Sequence, residues 1–136
     1  MPLHLRQLNE NDYDSILVEW WKAWNWDAPA KEFLPSNGTG GLIVYDDDTP
    51  IVAGFMYTTN SSVAWVDWII SNPSYRKKPH RKEAIQWLIS ALTSICEKAG
   101  HSYVYALIKN KPLIEVYASL GFIKADTYTT EMIKKF

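Results

Sequence analysis

The spacing of hydrophobic and polar residues changes period several times along the 136-residue chain, and each change predicts an element. Leu3-His4-Leu5-Arg6-Gln7-Leu8 alternates, which predicts a short opening strand. Tyr13, Ile16, Leu17, Trp20 and Trp24 then recur at helical spacing. Asn9 or Asn11 can cap that helix, with Asp12 and Asp14 in its favourable first turn. Trp21 and Trp26 fall off the stripe. A second short helical piece runs from Pro29 through Leu34 and ends at Pro35-Ser36-Asn37-Gly38. Residues 41–45 and 51–58 predict the arms of a hairpin around Asp46-Asp47-Asp48-Thr49-Pro50.

The next stretch organises the rest. Residues 63–70 are β-branched and aromatic apart from Ala64 and the single charge at Asp67, and alternation groups Asp67 with Trp65 and Ile69, away from Val66, Trp68 and Ile70. Ser71-Asn72-Pro73-Ser74 breaks this strand, because proline cannot donate to a ladder. Beyond a basic loop, Ala84, Ile85, Leu88, Ile89, Leu92, Ile95, Cys96 and Ala99 share one helical face, and Gly100 is the stop. Residues 102–108 form another predicted strand. Pro112 opens a helix with Leu113, Val116, Tyr117 and Leu120 on one face, and Gly121 ends it. Two further strands are expected near Phe122–Asp126 and Thr129–Lys135. The order predicts a single α/β (α+β) domain over residues 1–136, with helices on both faces of a mixed, mostly antiparallel sheet of six to seven strands.

Composition narrows the picture. A net charge of −1 leaves no global signature of a polyanion binder, so neither a nucleic acid nor a membrane is expected as partner. The single cysteine excludes an internal disulfide, and with no signal-peptide pattern the expected setting is cytoplasmic. Seven tryptophans and eight tyrosines exceed what a core of this size needs, which points to a lined pocket or an interface as well. Trp21 and Trp26 could belong to either. Three adjacent aspartates read as a solvated hairpin tip, and His4, His80 and His101 have no partner at metal spacing, so no metal is expected.

The basic loop is misplaced for local stability. Arg76, Lys77, Lys78, Arg81 and Lys82 sit at the start of a helix, where cations oppose the positive end of the macrodipole. An anion on the free backbone N–H groups would compensate them; a solvated charged loop is the alternative.

Residues 110–122, Asn110-Lys111-Pro112-Leu113-Ile114-Glu115-Val116-Tyr117-Ala118-Ser119-Leu120-Gly121-Phe122, carry a resemblance. They resemble the closing motif of the GNAT superfamily of acyl-CoA N-acyltransferases, an asparagine before a tyrosine-bearing helix that ends in Gly-Phe. Asn72-Pro73-Ser74-Tyr75-Arg76 resembles the same family's entry to its pyrophosphate loop. The likeness covers nearly all of the chain. The loop departs from the family's Arg-x-x-Gly-x-Gly or Ala, reading Arg76-Lys77-Lys78-Pro79-His80-Arg81. Pro79 has no N–H to offer and Arg81 puts a long side chain where a small residue is expected. Either side-chain cations replace part of an amide cradle, or cofactor binding is lost. Compact bacteriophage-encoded proteins with a GNAT frame and a degenerate loop look similar, so a phage origin is a further expectation.

The resemblance implies transfer of an acetyl group from acetyl-CoA, as co-substrate, to a primary amine of an acceptor that could be a small molecule, peptide or protein. It implies that the backbone near Ile70 and Ser71 polarises the thioester, at a bulge where the central strand parts from the Tyr103–Ile108 strand, and that Asn110 helps to hold the pantetheine arm in that gap. Arg76, Lys77, Lys78 and Arg81 would serve the phosphates. Tyr117 would protonate the departing thiolate, with helix-face packing as its simpler role. Asp67, the one ionisable side chain in the central strand, could take the amine's proton if it faces the cleft, or be a surface charge if it faces solvent. A binding or structural module without turnover is the competing function. The oligomeric expectation is a monomer or homodimer.

Overall fold

The computed structural model describes residues 3–77 and 79–136. In chain order it contains β1 (Leu3–Gln7), a π-helical turn (Tyr13–Leu17) running into α1 (Val18–Ala23), and two 3₁₀ turns at Lys31–Phe33 and Pro35–Gly38. There follow β2 (Gly41–Asp46), β3 (Thr49–Tyr57), β4 (Val63–Ser71), α2 (His80–Lys98), β5 (Tyr103–Tyr105) and α3 (Lys111–Ser119). The strands lie in the sheet in sequence order, with β1 to β4 pairing antiparallel and β5 parallel to β4.

The sheet separates two cores. On one face α2 and α3 cover Leu42, Val44, Val52, Ala64 and Val66; on the other, α1 and its π-turn cover Ile43, Ala53, Phe55 and Ile70. The predicted stripe of α2 buries Ala84, Leu88, Ile89, Leu92 and Cys96, while Ile95 stays at its exposed edge. Each buried leucine or isoleucine contributes about 1.5–3 kcal/mol relative to exposure. Gly41 is required where β2 meets β3, because a Cβ there would land on the Gly54 carbonyl.

Several expectations change. Five strands form among the described residues, not six or seven. Residues 122–126 and 129–135 form no strand, because no backbone partner lies along them and their apolar side chains, Phe122 apart, stay in solvent. Trp21, expected off the stripe, is 3% exposed. The π-turn explains it: i→i+5 bonding inserts one residue per turn and rotates the following side chains toward the sheet. Neither Asn9 nor Asn11 caps that turn. Asn9 instead accepts from the Asn11 N–H, and the Asp12 carboxylate accepts from the Asn9 N–H and from Arg6 at 2.7 and 2.9 Å. Asp46, placed by sequence at a solvated tip, is buried and accepts the Tyr75 hydroxyl at 2.7 Å.

Candidate active site

The site grows from an irregularity in β4. Ala53 pairs with Ile70 and Phe55 with Asp67, so Gly54 alone faces both Trp68 and Ile69. This is a β-bulge, and Trp68 absorbs it with a φ of 57°, a left-handed conformation rare for a bulky residue. Such strain persists where surrounding contacts enforce it. Here Trp68 packs edge-on against Trp21 and Phe33, at ring separations of 6.3 and 6.0 Å. The bulge also reverses the strand's faces. Val66 joins the core under α2 and α3, while Trp68 and Ile70 join the core under α1. The simple alternation that put Val66, Trp68 and Ile70 together therefore fails at this point.

Beside the bulge, β4 and β5 part. They pair only from Val63–Trp65 to Tyr103–Tyr105. Beyond that the Asp67 carboxylate spans the opening, accepting the Trp68 N–H at 3.1 Å and the Leu107 N–H at 3.2 Å. Asp67 is neither a surface charge nor an isolated one. Burial pushes its carboxyl above the usual range, and the Leu107 and Trp68 N–H groups pull it partly back. Tyr117 reaches the same opening from α3, donating its hydroxyl to the Val66 carbonyl at 2.8 Å, and is 2% exposed. Burial, then the nearby Asp67 charge, drive its phenol far above the ordinary value, so it stays protonated at neutral pH. Phe122 packs edge-on against its ring at 4.9 Å, which accounts for the Gly-Phe that ends the motif.

At the end of β4, Ile70 is buried and Ser71 is engaged twice. Its carbonyl accepts the Trp24 indole N–H at 2.8 Å and its hydroxyl accepts Arg81 Nη2 at 2.7 Å. The loop that follows is tied down by Asn72, which donates Nδ2 to the Pro50 carbonyl and accepts the Ser74 N–H, both at 2.9 Å. Arg76 and Lys77 project into solvent, Lys77 lying 3.7 Å from Asp46. Lys78 lies outside the described residues.

Arg81 turns inward. Its guanidinium donates to the carbonyls of Asn72 and Tyr75, at 3.3 and 3.1 Å, as well as to Ser71, and lies 6.0 Å from the Trp24 ring centre. Its own N–H bonds to the Lys77 carbonyl at 2.9 Å, so that amide at the start of α2 is already taken. The sequence grouped Arg81 with the phosphate-facing cations; three backbone and hydroxyl acceptors at the end of β4 recruit it instead. Asn110 is similarly occupied, since its Oδ1 caps α3 by accepting the Leu113 N–H at 3.0 Å.

No family model matches the sequence, and no curated protein matches it. Solved structures do. An acetyltransferase of Trypanosoma brucei superimposes with a TM-score of 0.64 at 18% identity, covering 97% of this chain and 100% of its own. The ribosomal-protein-S18-alanine N-acetyltransferase of Escherichia coli gives a TM-score of 0.70 at 17% identity, covering 92% of this chain and 80% of that one. N-acetylglutamate synthase of Neisseria gonorrhoeae, solved with coenzyme A and L-arginine, gives 0.71 at 16% identity; 91% of this chain matches 28% of that longer one. The chain has the GNAT fold.

Within that GNAT frame, the structure brings Tyr117, Asp67 and the β4 backbone together and leaves Arg76 and Lys77 at the loop surface. Sequence reasoning missed Trp68 and the Leu107 N–H, both part of the opening. The bulge itself was expected from the resemblance near Ile70 and Ser71; the structure sets it at Trp68 and Ile69 opposite Gly54, where a Cβ would press on Ile69, Leu88 and Leu92. Among the described residues no group of carboxylates, histidines or cysteines is arranged to hold a metal ion, and no helix is long and apolar enough to cross a membrane.

Proposed function

We propose that the chain transfers an acetyl group from acetyl-CoA to a primary amine by direct attack on the thioester, in a cytoplasmic setting. The observation that carries this reading is the parted β4–β5 edge with a protonated Tyr117 hydroxyl and the Asp67 carboxylate at its margin. The thioester would enter that opening. The amine nitrogen bonds to the carbonyl carbon, and backbone N–H groups near Ile70 and Ser71 stabilise the developing oxyanion. Collapse breaks the C–S bond. Tyr117 gives the sulfur its proton, and Asp67, directly or through water, takes the proton lost by the amine. A carboxyl raised by burial is a better base for that task than an ordinary aspartate.

Arg76, Lys77 and Lys78 would meet the phosphates, and the free amide nitrogen of Asn110 would meet the pantetheine arm. Arg81 contributes by holding the loop rather than by touching phosphate, which follows from its three acceptors.

Thermal denaturation with acetyl-CoA and with CoA tests binding, and thiol release with a panel of amines tests turnover. A hundredfold excess over the dissociation constant should stabilise the fold by about 2.7 kcal/mol. No shift at millimolar acetyl-CoA would sink the proposal. Binding without thiol release from any amine would leave the second reading, a module without turnover. That reading is favoured by Pro79, which offers no N–H, and by the inward turn of Arg81.

A further inference from the structure

On the sheet face that carries Asp67, the pairing of Tyr57 with Trp65 and of Trp65 with Tyr105 lines up three aromatic residues from β3, β4 and β5. The Trp65 and Tyr105 rings meet at 4.3 Å. Phe33 flanks the row, its carbonyl accepting the Tyr57 hydroxyl at 3.1 Å and its ring standing edge-on to Trp68. These side chains are not spent on the fold. Tyr57, Trp65, Tyr105 and Phe33 belong to neither core, since the cover given by α1 and its π-turn lies over Ile43, Ala53, Phe55 and Ile70. Tyr57 and Trp65 are half-buried, while Phe33 and Tyr105 are 46% and 39% exposed. Asp67 stands two residues along β4 from Trp65, opposite Phe55. It is the one charged side chain of β3, β4 and β5, which hold no lysine, arginine or histidine. Lys31, on the turn that carries Phe33, is drawn away to the Glu10 carbonyl at 3.4 Å and to the Tyr13 ring at 5.9 Å.

We propose that this aromatic row is the acceptor subsite, and that the acceptor is an amine carried on an aromatic body with no carboxylate or phosphate of its own. The assignment deepens the acetyl-transfer reading and rests on it. An ammonium group is attracted both by the Asp67 carboxylate and by the faces of the neighbouring rings. The aromatic body of such an acceptor would lie along Trp65, Tyr57 and Phe33 and remove from water apolar surface that the fold leaves wet. An acceptor bearing a carboxylate or phosphate would bring a second anion beside Asp67, with no cation on the three strands to meet it. A polyhydroxylated acceptor would press hydroxyl groups against rings that cannot satisfy them. The row therefore selects by what it lacks as well as by what it offers.

The test separates binding from turnover. The intact, isotope-labelled chain is titrated with phenylethylamine, ethylamine and phenylpropionate in the absence of any acyl donor, and the indole N–H resonances are followed. Phenylethylamine should shift those of Trp65 and Trp68. Ethylamine should bind at least about tenfold more weakly, as loss of an aromatic anchor does, and phenylpropionate should not bind. Trp65→Ala and Phe33→Ala should each weaken phenylethylamine by about tenfold, and Trp65→Phe should restore most of the loss. With acetyl-CoA present, kcat/KM should favour phenylethylamine over ethylamine by a similar ratio. Ethylamine or phenylpropionate binding as tightly as phenylethylamine overturns the proposal. So does an affinity for phenylethylamine that is unchanged in both alanine variants while their spectra remain those of the folded protein. No binding at millimolar phenylethylamine overturns it as well and leaves the row to a covering protein; thiol release with other amines would then show that acetyl transfer stands without it. Phenylethylamine bound as expected, with no thiol released from any amine, upholds the subsite and sinks acetyl transfer instead.

Discussion

Replacing Arg81 by alanine should cost the unliganded protein stability, independently of any ligand. The side chain makes three hydrogen bonds, to Ser71 Oγ at 2.7 Å, to the Tyr75 carbonyl at 3.1 Å and to the Asn72 carbonyl at 3.3 Å. Bonds from a charged donor contribute about 1.5–3 kcal/mol each when buried, but this group is partly exposed and the freed carbonyls can return to water. The longest of the three counts for little. A loss of about 2–3 kcal/mol is therefore expected, concentrated in the two short bonds. With unfolding entropy near 2.1 cal/mol/K per residue, that lowers the melting temperature by roughly 7–10 °C for a chain of this length. Calorimetry or urea denaturation of the unliganded variant reads it directly. Arg81→Lys keeps the charge but loses the planar fork, and should recover less than half. If Arg81→Ala melts with the wild type while its affinity for CoA collapses, the inward-facing account is wrong and the guanidinium works on the ligand.

Three further outcomes follow from the site and its surroundings. Tyr117→Phe leaves the Val66 carbonyl without its buried donor, so unfolding free energy should fall by about 1–3 kcal/mol. Turnover should fall by about 10²–10⁴-fold if the hydroxyl protonates the thiolate; a rate within twofold of wild type would remove that role. Asp67→Asn should slow transfer most near neutral pH and recover as the amine deprotonates, whereas a pH–rate profile identical to wild type would end its assignment as base. Asp12 supplies a stability effect with a defined sign. Burial alone would raise its carboxyl, but the Arg6 and Asn9 bonds outweigh this and hold it below the usual value. Its contribution is therefore complete above the unfolded pKa and lost as pH falls through the lower folded one. Urea denaturation between pH 6 and 2 should show a shallower acid limb in Asp12→Asn; an unchanged slope would exclude the Arg6 pair as its source.

What was legible in the sequence is what has a period or a stop. The stripe of α2 shows because its apolar spacing matches 3.6 residues, and Gly100 and Gly121 mark helix ends where φ is 99° and 96°. The likeness around Asn110, Tyr117 and Phe122 led to the parted strands. The bulge was legible only through the resemblance, since one extra residue in an apolar strand changes no composition, and both Trp68 and Ile69 suit either face. The direction of Arg81 depends on carbonyls brought together only by folding, whereas a run of cations reads as solvated. Asp46 was hidden for the same reason, its partner Tyr75 being 29 residues away. The terminal strands were legible as strand formers, but a strand also needs an edge.

The π-turn before α1 has a consequence for the length of the chain itself. A π-turn is a regular helix carrying one residue more than it needs. Removing a residue between Tyr13 and Leu17 would let the turn relax to ordinary α geometry, and everything after it would rotate by about 100°. Trp20 and Trp21 would leave the sheet, and Trp24 would lose the Ser71 carbonyl. Deletions and insertions in this helix are thus far from neutral: the surplus residue aims three indoles, and through Trp24 it reaches the end of β4.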